Sequence, residues 1–143
     1  MQVQPYLFFE GRCEEALNFY RSAVGAKLNG LMHYKDNPDL QAGGGCPDGT
    51  APPPDKVMHA SFSIGDTTLM ASDGMASGKA EFKGMSLTLT AANDAEAKRL
   101  FEALADGGQV QMPLTKTFYA SSFGMLTDRF GVSWMVIVPL PQP

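Results

Sequence analysis

Few side chains in this chain can do chemistry near neutral pH. They are two histidines, His33 and His59, and two cysteines, Cys13 and Cys46. An imidazole titrates close to neutrality, so it can serve as general acid, general base or ligand-orienting donor. His59 lies in an alternating run, Val57 to Ile64. A strand there would put Met58, Ala60, Phe62 and Ile64 on one face and Val57, His59, Ser61 and Ser63 on the other. The first face suits a covering helix. The second is polar enough to line a cavity or meet a partner. His59 then has two readings: a catalytic acid–base or ligand-orienting residue, or a structural histidine bonded to neighbouring strands or across a dimer. His33 reads as an ordinary strand or interface residue. Neither cysteine has a CxxC partner and two are too few for a framework, so free thiols in a reducing compartment are expected. Asp73 and Asp128 each follow a strand and read as turn-capping carboxylates. No local signature of a Ser–His–Asp or Cys–His arrangement is present, although such triads are assembled in space.

The elements that must position these groups follow from periodicity. Val3 to Phe9 reads as a strand in which Pro5 has no N–H to offer the ladder. Cys13 to Val24 reads as a helix with an apolar stripe of Ala16, Leu17, Tyr20 and Val24, acidic Glu14 and Glu15 in its first turn, and Gly25 to end it. Lys27 to Lys35 is a second strand. Asp36 to Lys56 is a long Gly- and Pro-rich loop, either a lid or a surface excursion. Val57 to Ile64 and Thr67 to Ser72 form a hairpin around Gly65-Asp66. Gly84 to Thr90 is a strand with Ser86, Thr88 and Thr90 on its polar face. A helix capped by Asn93 or Asp94 runs to about Ala105 with a stripe of Ala97, Leu100, Phe101 and Leu104. Gln109 to Leu114 is a strand. The chain closes on a hairpin within Tyr119 to Val138, with Phe123 to Leu126 leading in, Asp128 to Gly131 as the turn and Val132 to Val138 leading out.

Strand–helix–strand–strand–strand thus occurs twice, about 80 residues apart, and Ala16, Phe19 and Tyr20 fall opposite Ala97, Leu100 and Phe101. The expected fold class is α+β: two βαβββ modules with mixed sheets forming an open cavity. Residues 1–73 make the first module, 74–83 a linker and 84–143 the second, within one compact domain. Each helix covers one face of a four-stranded sheet. The other faces would line the cavity, and a second subunit would complete the packing as a homodimer. Met70 and Met135 are expected on the cavity wall with Ser61, Ser72, Ser86 and Ser133, a surface suited to a small amphipathic ligand. Phe118, Tyr119 and Phe123 are placed to stack on a ligand or seal the dimer. Trp134 alternates against Met135 and is expected in the core between sheet and helix.

Composition narrows the partners. Net charge is −4, the pI is about 5.0, and no block of five basic residues appears, which argues against nucleic acid. No apolar run approaches the roughly 18 residues of a membrane span, and Met1-Gln2-Val3-Gln4 does not open a signal peptide. A cytoplasmic protein is expected.

The doubled module carries Tyr6-Leu7-Phe8-Phe9, Gly11, Glu15-Ala16, Phe19-Tyr20, Gly25-Ala26, Met58-His59-Ala60, Leu69-Met70, Ser72-Asp73, Leu126-Thr127-Asp128, Phe130-Gly131-Val132 and Trp134 in order. Over essentially the whole chain this pattern resembles the vicinal oxygen chelate superfamily of glyoxalase I, bleomycin-resistance proteins, fosfomycin-resistance enzymes and extradiol dioxygenases. Within it the chain is most similar to the PhnB-like group. The superfamily's metal enzymes imply a divalent ion held by His, Glu or Gln from the first and last strand of each half. Here those positions are about Pro5, Met70, Ser86 and Met135, and the neighbours Tyr6, Ala71, Leu87 and Val136 do no better. No metal ligand and no cofactor are therefore assigned. Relatives are also described as 3-demethylubiquinone methyltransferase domains. The only Gly cluster, Gly43-Gly44-Gly45, has no following helix to make the usual methyl-donor site. The leading expectation is a metal-free pocket that binds or sequesters a small molecule. The alternatives are a metal-independent enzyme using His59, and a metal-dependent lyase or dioxygenase.

Overall fold

Burial along the first helix sets the architecture of the N-terminal part. The computed structural model describes residues 1–37 and 53–141. Helix α1, Cys13–Val24, buries Cys13, Ala16, Leu17, Tyr20 and Ala23. The stripe closes on Ala23 and not on Val24 as expected, so the last turn keeps a spacing of three. Gly25 then takes φ +69°, a left-handed conformation that glycine adopts without a Cβ clash, and its N–H bonds the carbonyl of Tyr20.

The helix start has no side-chain cap of its own. The cap comes from Asp73, sixty residues away. Its Oδ1 accepts the backbone N–H groups of Gly11 at 2.9 Å and Cys13 at 2.8 Å, and its Oδ2 accepts that of Val57 at 2.7 Å. The first N–H groups of a helix have no partner within it, so a carboxylate is well placed there. This carboxylate is 2% exposed and joins three separate segments.

The sheet beside this junction comprises β1 (Tyr6–Phe8), β2 (Lys27–His33), β3 (Val57–Ile64) and β4 (Thr67–Ser72), in the order β1-β4-β3-β2. β1 runs parallel to β4, with Tyr6 beside Met70 and Phe8 beside Ser72, and the other pairs are antiparallel. β1 is shorter than the Val3 to Phe9 expected, and Pro5 lies just outside it, giving only its carbonyl to the N–H of Met70. β2 ends at His33, where Tyr34–Asp36 forms a 3-10 turn. Leu7, Phe9, Ala60, Phe62, Leu69 and Ala71 are buried, and Tyr20 stacks on Phe62 with ring centroids 6.2 Å apart and planes 12° apart. The expected helix-facing side of β3 is thus the core side, centred on Ala60 and Phe62.

The C-terminal part repeats the plan with β5 (Leu87–Thr90), α2 (Asp94–Ala105), β6 (Gln109–Thr115), β7 (Ala120–Thr127) and β8 (Ser133–Pro139), in the sheet order β5-β8-β7-β6. β5 begins at Leu87, after Gly84 with its φ of +75°. β7 is longer than expected and reaches back to Ala120. Asn93 caps α2 by accepting the N–H of Glu96 at 2.8 Å. Asp94 accepts the hydroxyls of Ser121 at 2.6 Å and Ser122 at 2.8 Å, and these bonds hold its carboxyl below the usual carboxylate range. Ala97, Leu100, Phe101 and Leu104 are buried with Leu126, Trp134 and Val136. Gly124 allows the helix close to β7, since a Cβ there would meet Phe101 Cε2 at 2.7 Å.

The β7–β8 turn is tied by Asp128. Its Oδ1 accepts the N–H groups of Phe130 and Val132 at 2.8 and 3.1 Å, and its Oδ2 accepts the indole N–H of Trp134 at 2.9 Å. Asp128 caps its own turn as the sequence suggested, whereas the Asp73 carboxylate accepts only from residues distant in sequence. Contacts divide the chain into two compact units, Met1–Ala80 and Glu81–Pro143. The Gly- and Pro-rich stretch from 38 to 52, including Cys46, lies outside the described residues.

Replacing Asp73 with Ala removes the acceptor of three backbone N–H groups, two of them on the fully buried Cys13 and Val57. At about 1–3 kcal/mol for each buried group left unpaired, Asp73→Ala should lower unfolding stability by about 3 kcal/mol or more, read from urea denaturation. A loss under about 1 kcal/mol would contradict the bracing role of this carboxylate.

Candidate functional site

A strand sends alternate side chains to opposite faces, so a sheet with one face under a helix leaves a second row of side chains for other work. In the first unit that row contains Tyr6 and Phe8 on β1, Thr68, Met70 and Ser72 on β4, His59, Ser61 and Ser63 on β3, and Met32 on β2. Register places Tyr6, Met70, Ser61 and Gly30 side by side across the sheet, and Met32 beside His59. The Tyr6 hydroxyl lies 3.0 Å from His59 Nδ1, and the two rings are 5.6 Å apart at centroids. Tyr6 also lies against Phe8, 4.9 Å between ring centroids. Phe8 is 52% and Met32 43% exposed. His59 Nε2 and the Ser61 hydroxyl bond to none of the described residues.

Four of the residues expected at a site, His59, Ser61, Met70 and Ser72, therefore share one face. Ser72 differs from the others: it is 2% exposed and its Oγ accepts the N–H of Gly74 at 3.0 Å. In the second unit Ser86, Phe123 and Met135 lie on the face opposite α2. Met135 pairs with Met125, Phe123 with Ile137, and the Ser86 and Ser133 hydroxyls are 2.6 Å apart. Tyr119 meets Phe123 edge-on at 5.8 Å and Phe118 meets Tyr119 at 5.0 Å, with Phe118 94% exposed. Trp134 is buried as expected.

The sequence reading of site residues missed Tyr6. The signal was present, because alternation in Tyr6-Leu7-Phe8 with parallel pairing to β4 puts Tyr6 on the His59 face. His33 does structural work: its Nε2 pairs with Glu14 on α1, and Asp36 accepts its backbone N–H at 3.0 Å. Cys13 is buried. Burial first, then the carboxylates of Asp73 and Glu14, push its thiol well up, so the helix N-terminus does not make it a nucleophile.

The divalent ion implied by the resemblance does not fit the residues present. The register corrects the expected positions: Tyr6, and not Pro5, stands beside Met70 in the first unit, and Thr88, and not Ser86, stands beside Met135 in the second. Thioethers and neutral hydroxyls are poor donors for Fe, Mn, Ni or Zn. Among the described residues, no group of three His, Cys, Asp or Glu side chains is placed to hold a metal. The donor chemistry at the first unit's open face is that of an imidazole, a phenol and a serine hydroxyl.

Over residues 1–137 the sequence matches the family described as 3-demethylubiquinone-9 3-methyltransferase. The chain belongs to this family. It is 37% identical to Protein YjdN of Escherichia coli (strain K12) over 145 residues, covering 100% of this chain and 99% of that one. The crystal structure of protein PA1353 from Pseudomonas aeruginosa is 45% identical, with TM-score 0.81 over 96% of this chain and 97% of the other. A putative 3-demethylubiquinone-9 3-methyltransferase, PhnB protein, from Bacillus cereus is 28% identical, with TM-score 0.78 over 96% and 99%. Likeness of fold alone extends to a glyoxalase/bleomycin resistance protein from Albidiferax ferrireducens, 14% identical with TM-score 0.53 over 91% and 89%. The family is thus PhnB-like and of glyoxalase fold, in keeping with the vicinal oxygen chelate resemblance.

The activity in the family's description gains no support from this chain's geometry. A methyl-donor site of the common kind needs a Gly-rich turn from strand to helix in a doubly wound sheet. Here each four-stranded sheet has one helix, and the N–H groups of Gly11 and Cys13 at the β1–α1 turn are already bonded to Asp73.

The face assignment can be checked by paired substitutions on neighbouring residues of β1. Leu7, 1% exposed, should cost about 2–5 kcal/mol when changed to Ala. Phe8→Ala should cost about 1 kcal/mol or less. Equal losses in thermal or urea unfolding would show that both faces are packed alike.

Proposed function

We propose that the face of the first unit's sheet opposite α1 binds a small amphipathic molecule without a metal or cofactor. The observation that carries this reading is the Tyr6–His59 pair, with His59 Nε2 left to an outside partner and apolar Phe8, Met70 and Met32 around it. A few placed polar groups among apolar walls are what small-molecule sites use to fix orientation. Ser61 supplies a second hydroxyl on the same face, and Met70 and Met32 supply adaptable contact. In the second unit Ser86, Phe118, Tyr119, Phe123 and Met135 are proposed as further ligand contacts, and in the first unit Ser72 is proposed as a further residue of the binding face.

The same side chains support a second reading, an enzyme in which His59 moves a proton for a bound substrate. An imidazole held by a phenol and open at its other nitrogen is suited to that work. We also propose a homodimer in the cytoplasm. Exposed Val110 and Met112 on β6 supply apolar surface for a partner. Among the described residues, no helix is long and apolar enough to cross a membrane.

A small-molecule screen by thermal shift should return ligands that stabilise the protein. Their affinity should fall by about tenfold or more in His59→Ala, the loss of one good polar contact. Unchanged affinity across the hits in a folded His59→Ala variant would place the ligand elsewhere. Gel filtration with light scattering should give twice the 15.3 kDa chain mass, and a single-chain mass would overturn the dimer.

A further inference from the structure

We infer that Tyr6 is a positioning residue that fixes the proton of His59 on Nε2, so that the face presents a hydrogen-bond donor and takes a ligand carrying an acceptor oxygen beside a planar apolar body. The inference deepens the binding role just proposed and rests on it for the ligand class, but not for the tautomer.

The Tyr6 hydroxyl lies 3.0 Å from His59 Nδ1. Two arrangements satisfy that distance: the phenol donates to a bare Nδ1, or an Nδ1–H donates to the phenol oxygen. A phenol is a better donor than acceptor, while the unprotonated nitrogen of a neutral imidazole is a good acceptor. The phenol O–H to Nδ1 arrangement is therefore favoured. Neither side chain has a further hydrogen bond to a described residue that would reverse it. A bond made at one ring nitrogen sets the state of the other, so Nε2 carries the hydrogen. Backbone geometry fixes the pair: Tyr6 stands beside Met70 in the parallel β1–β4 register, and Met70 stands beside Ser61, two residues from His59.

The ligand class follows from what Nε2–H can meet. Carbonyl, carboxylate and phosphoryl oxygens accept from it, and a cationic ammonium does not. Around it, Phe8 and Met70 offer a ring and a thioether to a flat apolar group, as aromatic and methionine side chains do in adaptable sites. The Ser61 hydroxyl, bonded to no described residue, can donate to or accept from a second polar atom.

The test is long-range proton–nitrogen NMR of the histidine rings at a pH where His59 is neutral, on wild type and on Tyr6→Phe, which removes only the hydroxyl. Wild type should show the Nε2–H pattern at His59. Tyr6→Phe should move the tautomer ratio toward Nδ1–H by up to about tenfold, equal to about 1.4 kcal/mol. An Nδ1–H pattern in wild type, or a ratio unchanged by Tyr6→Phe, overturns the positioning role whether or not the face binds anything. Titration with benzoate and with benzylamine reads the ligand class. Benzoate should shift the His59 Nε2 signal and benzylamine should not. A response to benzylamine equal to or larger than that to benzoate overturns the ligand class alone. Silence to both, with the Nε2–H pattern intact, overturns the ligand class and counts against the binding reading itself.

Discussion

One buried carboxylate holds the first unit in register. Asp73 sits just past β4 and accepts N–H groups from the turn after β1, the first residue of α1 and the first residue of β3. A buried carboxylate is costly unless its oxygens are bonded, and backbone N–H groups at a helix start are costly unless they find an acceptor. Each solves the other's problem. The consequence reaches the opposite face of the sheet. With the ends of β1, β3 and β4 joined at one point, the phenol of Tyr6 arrives within hydrogen-bond distance of His59 on β3, a strand with which β1 does not pair.

The two units share a topology but not this device. In the second, Asn93 caps α2 locally, and Asp94 is bonded by Ser121 and Ser122 of β7. Asp128 meanwhile closes the β7–β8 turn and anchors the Trp134 indole. Equivalent helices therefore reach equivalent places through different polar bonds. Polar chemistry also differs between the open faces. The first unit's face carries an imidazole and a phenol. The second carries methionines, Phe123 and a pair of serine hydroxyls.

The architecture was legible because its signals are local. Alternation in Val57 to Ile64, the helical stripes and the punctuating Gly25 and Gly131 each report on a few neighbouring residues. Where the reading slipped, a distant contact had decided. The last turn of α1 buries Ala23 in place of Val24 because the stripe follows the sheet beneath it. Pro5 falls outside β1 because that strand pairs only from Tyr6 onward. Of the site, His59 and its row on β3 could be read from one strand. Its bond to Tyr6 could not, because it joins residues 53 apart across an intervening strand. Asp73 reads from the sequence as a turn cap, and not as the cap of a helix sixty residues earlier.

Family membership and chemistry part company in this chain. Fold and sequence place it among PhnB-like proteins, while the paired positions where a metal enzyme of the wider superfamily would carry hard donors hold Tyr6 with Met70 and Thr88 with Met135. The Tyr6–His59 face is the alternative centre on which the functional account rests. The most direct test is a crystal structure with a ligand that co-purifies or is found by screening. The expected occupant sits on the first unit's sheet, opposite α1, with an oxygen within hydrogen-bond distance of His59 Nε2. An occupant seated away from that face, for instance in the shallow depression beside Lys98, Arg99 and Glu102 on α2, would contradict it.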